Sequence, residues 1–184
     1  MQTQWQHNAQ GWLYNPPQAN AALIWMHGLG ANADDFLAIM QAYIAQYSAP
    51  LRIFLPQAPL QAVSINMGMR MPAWYDISSL EDLNQEDRLG LQKSATSITN
   101  IIQSYVQEGI PSEQIILGGF SQGGALALHV GLSSTLPLAA IFATASYLPK
   151  STQLPLEKMP SAYLYHGKQD NVVSLSKAKK SYQR

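Results

Sequence analysis

Five residues about two thirds of the way along the chain form a pattern that can present a nucleophilic hydroxyl. They are Gly119-Phe120-Ser121-Gln122-Gly123, a Gly-x-Ser-x-Gly pattern that directly follows a predicted strand and directly precedes a predicted helix. In that context the serine lies on a very tight turn, and the flanking glycines remove the Cβ atoms that would clash with adjacent backbone. The hydroxyl then projects above the sheet, and the first N–H groups of the helix face any negative charge that develops. The pattern therefore predicts a nucleophile at Ser121.

Two phosphate-binding interpretations of the same glycines fail. A dinucleotide-binding Gly-x-Gly-x-x-Gly that begins at Gly119 needs glycine at position 121, where the sequence has serine. No Gly-Lys-Ser/Thr follows, so the segment is not a nucleotide loop of that type either. A glycine-rich turn with an incidental serine remains the structural alternative.

Two further segments supply the partners that acyl transfer requires. The turn His27-Gly28-Leu29-Gly30 follows the first clear strand, and we expect Leu29 to supply one backbone N–H to an oxyanion and Gln122 the other. Asp170 follows a later strand and comes after the serine in chain order, where the acid of a Ser–His–Asp triad belongs. It would hold an imidazole in its productive tautomer. A plain turn and a solvated aspartate are the alternatives.

A sheet must position these residues, and the sequence alternates strand-like with helix-like segments. Apolar runs at residues 21–26 and 51–55 are typical of strands buried on both faces. Apolar side chains spaced three and four apart predict helices within 34–47 and 91–106, whereas residues 56–80 show no period and are expected to be irregular and functional. The alternation predicts one α/β domain with a mostly parallel open sheet and helices on both faces.

Composition excludes several classes of protein and site. The 184 residues include 11 basic and 11 acidic side chains and no cysteine. A net charge of zero argues against nucleic acid as a partner. Without cysteine there is no thiol nucleophile or common structural zinc site, and no paired histidine motif suggests another metal. No apolar run approaches the ~20 residues that span a bilayer, and no secretory signal is evident, so we expect a cytoplasmic protein.

The motifs together make the chain similar to a known family. It resembles the bacterial carboxylesterases and acyl-protein thioesterases of the α/β-hydrolase fold, which form the phospholipase/carboxylesterase family. The resemblance runs in register from about residue 10 to the last residue. The matching segments are His27–Ala31, Pro72–Asp76, Gly118–Gly124, Ser146–Pro149 and His166–Asp170.

The resemblance assigns roles to individual residues. It implies that Ser121 is the nucleophile, that Asp170 is the triad acid, and that Leu29 and Gln122 supply the oxyanion N–H groups. It also implies that Trp74 lines the acyl site. The family hydrolyses esters or thioesters of acyl chains and needs no cofactor, so the implied partner is a small-molecule or acylated substrate.

Three methionines alternate just before Trp74, at positions 67, 69 and 71. Flexible thioethers beside aromatic rings can form an adaptable wall for an acyl chain, and Met71 is the substrate-binding candidate among them. Methionines that fill a core beneath a loop are the equally open alternative.

One part of the family pattern is not found. In the Ser…Asp…His order the general base follows the acid, but the 14 residues after Asp170 include no histidine. We therefore expect a single domain over residues 1–184 that is C-terminally incomplete and lacks the last strand and the loop carrying the base. None of the four histidines is an obvious substitute: His7 lies in a polar stretch, His27 is expected to brace the oxyanion turn, His129 lies about 12 Å along the helix from the serine, and His166 is expected to be structural.

The leading hypothesis is a serine hydrolase of carboxylic esters or thioesters, of the carboxylesterase, acyl-protein thioesterase or lysophospholipase type. It would act through an acyl-enzyme, and its chemistry would be crippled because no base follows Asp170. The alternative is a non-catalytic relative that binds acylated ligands or a partner protein. An unpaired sheet edge is expected where the missing elements would pack, and with it self-association.

Overall fold

A seven-stranded sheet with helices on both faces positions the candidate residues. The computed structural model describes residues 5–47, 49–79, 85–154 and 159–183. The strands within these residues are β1 (Trp5–Asn8), β2 (Gly11–Tyr14), β3 (Ala21–Met26), β4 (Leu51–Pro56), β5 (Leu60–Val63), β6 (Met69–Pro72), β7 (Ile115–Phe120), β8 (Ala140–Thr144) and β9 (Ser161–Tyr165). The helices are α1 (Leu37–Tyr47), α2 (Arg88–Gln107), α3 (Gln122–Ser133) and α4 (Leu175–Tyr182).

The strands of the main sheet lie in the order β1-β2-β4-β3-β7-β8-β9. The pairs from β4 through β3, β7 and β8 to β9 are parallel, and only β1 and β2 add antiparallel pairs at one side. Parallel pairing requires crossover connections, which here contain α1, α2 and α3. The mostly parallel open sheet predicted from the sequence is therefore confirmed.

Each face of the sheet is covered by its own apolar core. Strand β3 shows how the two are built, because its residues alternate between the faces. Ile24 and Met26 are fully buried in the core that also contains residues of α2 and α3. Leu23 and Trp25 pack instead on the second core, which includes Met40 of α1. A strand that is buried on both faces has apolar residues at consecutive positions, as residues 21–26 do.

The expectation of an irregular segment over residues 56–80 is wrong for β5 and β6. These strands pair antiparallel as a separate two-stranded sheet. A short 3-10 turn joins them, and Met67 and Gly68 end it with φ values of 56° and 76°. Met69 and Met71 alternate in the sequence, but β5 is mostly exposed and β6 has no buried residue, so neither strand has the buried apolar face that identifies a strand.

Helix α2 is the longest helix of the described chain, with 20 residues. Its buried side chains lie on one face, as the spacing of three and four predicts. Within the described residues, no helix is both long and apolar enough to cross a membrane.

Strand β9 is the edge strand on the side of the sheet opposite β1. All five of its residues are exposed, and Tyr163, Leu164 and Tyr165 present 49%, 42% and 70% of their surface. Its pairing with β8 leaves the other backbone edge without a strand among the described residues.

We predict that Leu117→Ala lowers the free energy of unfolding by about 2–5 kcal/mol, because this β7 side chain is fully buried and its removal leaves a cavity. Leu89→Ala is the matched control: Leu89 is 86% exposed in the first turn of α2, and the change should stay within about 0.5 kcal/mol. Urea denaturation of both variants measures the difference. Equal losses would contradict the assignment of β7 to the core.

Candidate active site

Ser121 lies on a strained turn between the end of β7 and the start of α3. Its φ of 53° and ψ of −117° lie in a region that a residue with a side chain rarely occupies, at a cost of about 1–3 kcal/mol. Three hydrogen bonds hold its backbone there. Its N–H donates to the carbonyl of Thr144 at 2.9 Å, and its carbonyl accepts from the N–H of Ala125 at 3.0 Å and from the hydroxyl of Ser146 at 2.8 Å.

The two glycines of the pattern are required because backbone lies where their side chains would be. A Cβ at Gly119 would lie 2.4 Å from the carbonyl carbon of Gly123, and a Cβ at Gly123 would lie 2.2 Å from the carbonyl oxygen of Met26. Neither contact can be relieved without moving the main chain. The steric interpretation of the Gly-x-Ser-x-Gly pattern is confirmed.

The predicted oxyanion turn follows β3 and lies beside this elbow. The N–H of Leu29 donates to no acceptor among the described residues, and Gln122 is the first residue of α3, so its N–H has no intrahelical acceptor. The N–H of Gly30 is used differently, because it donates to the carbonyl of Pro72 at 2.8 Å. Both backbone groups assigned to the oxyanion are therefore unengaged within the described structure.

His27 braces this turn, as expected. The side chain is buried, its Nδ1–H donates to the carbonyl of Gly28 at 2.8 Å, and its Nε2 accepts from the N–H of Ala58 at 3.1 Å. Burial lowers the pKa of His27, so the ring is neutral at pH 7 and both nitrogens serve the backbone.

Gln122 contributes a side chain as well as a backbone N–H, and this part of its role was missed by sequence reasoning. Its Oε1 accepts from the N–H of Trp74 at 3.0 Å, and its Nε2 donates to the carbonyl of Tyr75 at 2.7 Å. The indole N–H of Trp74 in turn donates to the carbonyl of His27 at 2.8 Å, and the hydroxyl of Ser94 donates to the carbonyl of Trp74. The elbow, the 74–75 segment and the oxyanion turn are thus joined by direct hydrogen bonds.

The two residues assigned to the substrate lie on opposite sides of Pro72. Trp74 is 4% exposed, so most of its ring contacts protein. Met71 is partly buried and lies beside the oxyanion turn, where a Cβ built at Gly30 would be 3.5 Å from its sulfur. Met67 and Met69 are 91% and 56% exposed, so these two do not fill a core. A substrate-binding role for Trp74 and Met71 stays a prediction.

Asp170 lies in the loop after β9, at the carboxyl ends of the parallel strands, where the elbow also lies. It shares an open depression of about 610 Å³ with Phe120, the residue before the serine. Its Oδ1 accepts from the N–H groups of Val172 and Val173, both at 2.9 Å, and its Oδ2 lies 3.5 Å from Nε2 of His166. The carboxylate is therefore held by the main chain of its own loop, since the Nε2–H of His166 donates to the Val173 carbonyl.

None of the histidines within the described residues is hydrogen-bonded to Ser121. His7 stacks on Trp12, and His27 bonds to the main chain of the oxyanion turn. Nδ1 of His129 pairs with the Thr152 hydroxyl at 3.1 Å, and Nε2–H of His166 donates to the carbonyl of Val173 at 2.6 Å.

Two tyrosines lie deep beside the 74–75 segment, and neither is ionised at neutral pH. Burial raises the pKa of Tyr75 and raises that of Tyr147 to about 12, so both phenols stay protonated. Within the described residues, no three His, Cys, Asp or Glu side chains cluster in a way that could hold a metal ion.

Comparison with known proteins gives this site a family. The sequence profile of one family, described as phospholipase/carboxylesterase, matches residues 15–184. The chain belongs to the phospholipase/carboxylesterase family. Two similar members are acyl-protein thioesterase 1 of Mycosarcoma maydis, 38% identical over 169 residues, and acyl-protein thioesterase 1 homolog 1 of Dictyostelium discoideum, 38% identical over 159 residues. These matches cover 83% and 84% of this chain and 70% of each relative.

Solved structures agree on the fold. SOBER1 of Arabidopsis thaliana superposes with a TM-score of 0.79 at 24% identity, over 87% of this chain and 80% of that one. Acyl-protein thioesterase 2 of Zea mays gives a TM-score of 0.71 at 23% identity, over 92% and 80% of the two chains. The fold that the family members share is the α/β-hydrolase fold, as the sequence motifs predicted.

We predict that Gln122→Leu lowers the free energy of unfolding by about 1–3 kcal/mol, because it leaves the buried N–H of Trp74 without its acceptor. Gln41→Leu, at an exposed position of α1, is the control and should change stability by no more than about 0.5 kcal/mol. Thermal and urea unfolding of the three proteins provide the comparison. A Gln122→Leu variant as stable as the parent would show that the side-chain bonds are dispensable.

Proposed function

We propose that this chain is a serine hydrolase of carboxylic esters or thioesters in which Ser121 is the nucleophile. The observation that carries the proposal is the positive φ of Ser121, held by three backbone hydrogen bonds at the carboxyl end of β7. Such strain persists only where surrounding structure imposes it, and it is concentrated at functional sites. Membership of the phospholipase/carboxylesterase family and the names of the acyl-protein thioesterase relatives support the same reaction class.

In the proposed reaction, Oγ of Ser121 forms a bond to the acyl carbonyl carbon, and its proton passes to water or to an added base. The carbonyl oxygen becomes an oxyanion, and the N–H groups of Leu29 and Gln122 stabilise its charge. Collapse of this intermediate breaks the bond to the leaving alcohol or thiol, which takes up a proton, and water then hydrolyses the acyl-enzyme. Asp170 would orient the imidazole of a general base.

We also propose that this chain performs the reaction slowly. A serine hydroxyl needs a base within hydrogen-bond reach, and the described histidines are engaged elsewhere. Loss of one member of a catalytic triad lowers kcat by about 10⁴- to 10⁶-fold, while the oxyanion donors and substrate binding still contribute. Residual reactivity at Ser121 with little turnover is the expected behaviour.

We predict that a fluorophosphonate probe labels the chain slowly at Ser121 and that Ser121→Ala abolishes labelling. Ser97→Ala is the matched control, because this exposed α2 hydroxyl donates only to the Lys93 carbonyl of its own helix. Mass spectrometry of the labelled peptide locates the modified residue. Labelling that survives Ser121→Ala would overturn the assignment, and no labelling at all would favour the non-catalytic relative that only binds acyl ligands.

Turnover of a short aryl ester tests the missing base separately. Added imidazole should raise the rate of the parent chain above that of Ser121→Ala under the same conditions, because the free base can accept the hydroxyl proton. Hydrolysis at 1 s⁻¹ or faster without imidazole, in the range of roughly 1–10³ s⁻¹ found for intact enzymes, would show that a base is already in place.

We propose in addition that two copies of this chain associate through β9. Five exposed residues without a charged side chain form this edge strand, and edges without charge or proline readily pair with another strand. The formal net charge of zero gives little repulsion between copies.

We predict that sedimentation velocity shows concentration-dependent association and that Tyr165→Lys weakens it by placing a charge on the edge. Tyr47→Lys on α1 is the matched control, because Tyr47 is 59% exposed and Tyr165 70% exposed. A parent chain that stays monomeric at every concentration, or equal effects of the two variants, would rule out pairing at β9.

The cytoplasmic location also remains a prediction, which cell fractionation checks.

A further inference from the structure

The hydroxyl of Ser146 bonds to the peptide group that carries one of the two predicted oxyanion donors. Ser146 follows β8 and is fully buried, and its Oγ–H donates to the carbonyl of Ser121 at 2.8 Å. That carbonyl and the N–H of Gln122 belong to one peptide group. Because a trans peptide is planar, a bond that fixes the direction of its carbonyl also fixes the direction of its N–H. Ser146 therefore sets the direction of the Gln122 N–H from the other end of the peptide group.

Two donors hold the carbonyl of this peptide group. One is the N–H of Ala125, at 3.0 Å, which is the ordinary bond from a helical residue to the residue four positions earlier. The other is the Ser146 hydroxyl, which comes from outside the helix and resists rotation of the peptide plane at the helix end. A hydrogen bond accepted at the carbonyl also polarises the peptide group and strengthens its N–H as a donor by roughly 10–30%. The Ser146 bond thus both orients and strengthens the Gln122 N–H.

The close approach of Ser146 to α3 accounts for a glycine outside the Gly-x-Ser-x-Gly pattern. A Cβ at Gly124 would lie 2.9 Å from Cβ and 3.0 Å from Oγ of Ser146, and 2.9 Å from the carbonyl oxygen of Gly119. A larger residue at position 124 would push the Ser146 hydroxyl away from the Ser121 carbonyl. Glycine at this position therefore makes room for the Ser146 side chain as well as for the backbone of β7.

Helix α4 holds the segment that carries Ser146. The phenol of Tyr182 donates to the Ser146 carbonyl at 2.7 Å, and burial raises the pKa of Tyr182 to about 12, so the phenol keeps its proton at neutral pH. The neighbouring hydroxyl of Ser181 accepts from the N–H of Leu148 at 2.9 Å. Two adjacent residues of α4 therefore anchor the segment after β8.

We propose that Ser146 is a positioning residue of the oxyanion site, which directs the Gln122 N–H by holding the Ser121 carbonyl, and that Tyr182 keeps Ser146 in place. This role rests on the proposed serine-hydrolase function, in which the Gln122 N–H stabilises the charge of the tetrahedral intermediate. Helix α4 carries no predicted site residue, yet it is connected to the oxyanion donor by two hydrogen bonds in series.

Nuclear magnetic resonance of the full ¹⁵N-labelled chain tests the orientation of the peptide group without any reaction. In Ser146→Ala the Gln122 amide nitrogen should move upfield, because its peptide carbonyl loses a hydrogen bond and the group is less polarised. Ser112→Ala is the matched control, since Ser112 is also buried and its hydroxyl donates to the Glu113 carboxylate at 3.3 Å. It should leave the Gln122 resonance in place. A Gln122 nitrogen that stays in place or moves downfield in Ser146→Ala would overturn the proposal.

The rate of fluorophosphonate labelling at Ser121 measures the effect on chemistry. Removal of an oxyanion donor costs about 10²- to 10³-fold in kcat, and a donor that is retained but less well directed should cost less. We therefore expect Ser146→Ala to be labelled about tenfold more slowly than the parent and Tyr182→Phe about two- to threefold more slowly. Ser112→Ala should be labelled at the parent rate, as should Tyr47→Phe, which removes an exposed phenol from α1.

Urea unfolding of each variant confirms that folded proteins are compared. Equal slowing in Ser146→Ala and Ser112→Ala would show a general loss of packing and would overturn the positioning role. A parent chain that is not labelled would contradict the serine-hydrolase function instead, and the Gln122 resonance would still decide whether Ser146 orients the peptide group.

Discussion

The close contact between the serine elbow and the strand beside it is the constraint on which the candidate site depends. In the parallel pairing of β3 with β7, Met26 lies opposite Gly119. The first helical turn after the serine then passes so close to the Met26 carbonyl that only glycine fits at position 123. Because β3 leads directly into the oxyanion turn and β7 into the elbow, this register brings the two predicted donors to one place. A slip by one residue would separate them.

Strands β8 and β9, which follow β7 in the sheet, place further residues of the candidate site beside the elbow. β8 pairs with β7 so that Phe120 lies opposite Thr144, whose carbonyl accepts from the N–H of Ser121. β9 follows on the far side of β8, and its loop carries Asp170 to the depression beside Phe120. Ligand-binding residues of open α/β sheets gather at the carboxyl ends of the strands, and parallel pairing is the reason. The elbow, the oxyanion turn and the Asp170 loop therefore all lie at the carboxyl ends of the strands, although they are far apart in sequence.

The sequence allowed prediction of those features that a local rule imposes. Glycine at 119 and 123 follows from sterics, and continuous apolar runs follow from burial on both faces, so the elbow and the central strands were predictable. The β5–β6 hairpin was not predictable, because its strands are largely exposed and lack the buried apolar face that identifies a strand. The bonds from the Gln122 side chain were missed for another reason. Each bond joins two residues that are 47 or 48 positions apart in the sequence, and only the folded chain brings them together.

The two N–H groups of Trp74 bond to different segments of the candidate site. Its main-chain N–H is bound to the elbow through Gln122, and its ring N–H is bound to the turn through the His27 carbonyl. Trp74 thus joins the two segments that carry the predicted donors, through its main chain on one side and its ring on the other. Because the ring is only 4% exposed, packing fixes its rotamer, and the residue adds a second connection between these segments to the one that the β3–β7 register supplies.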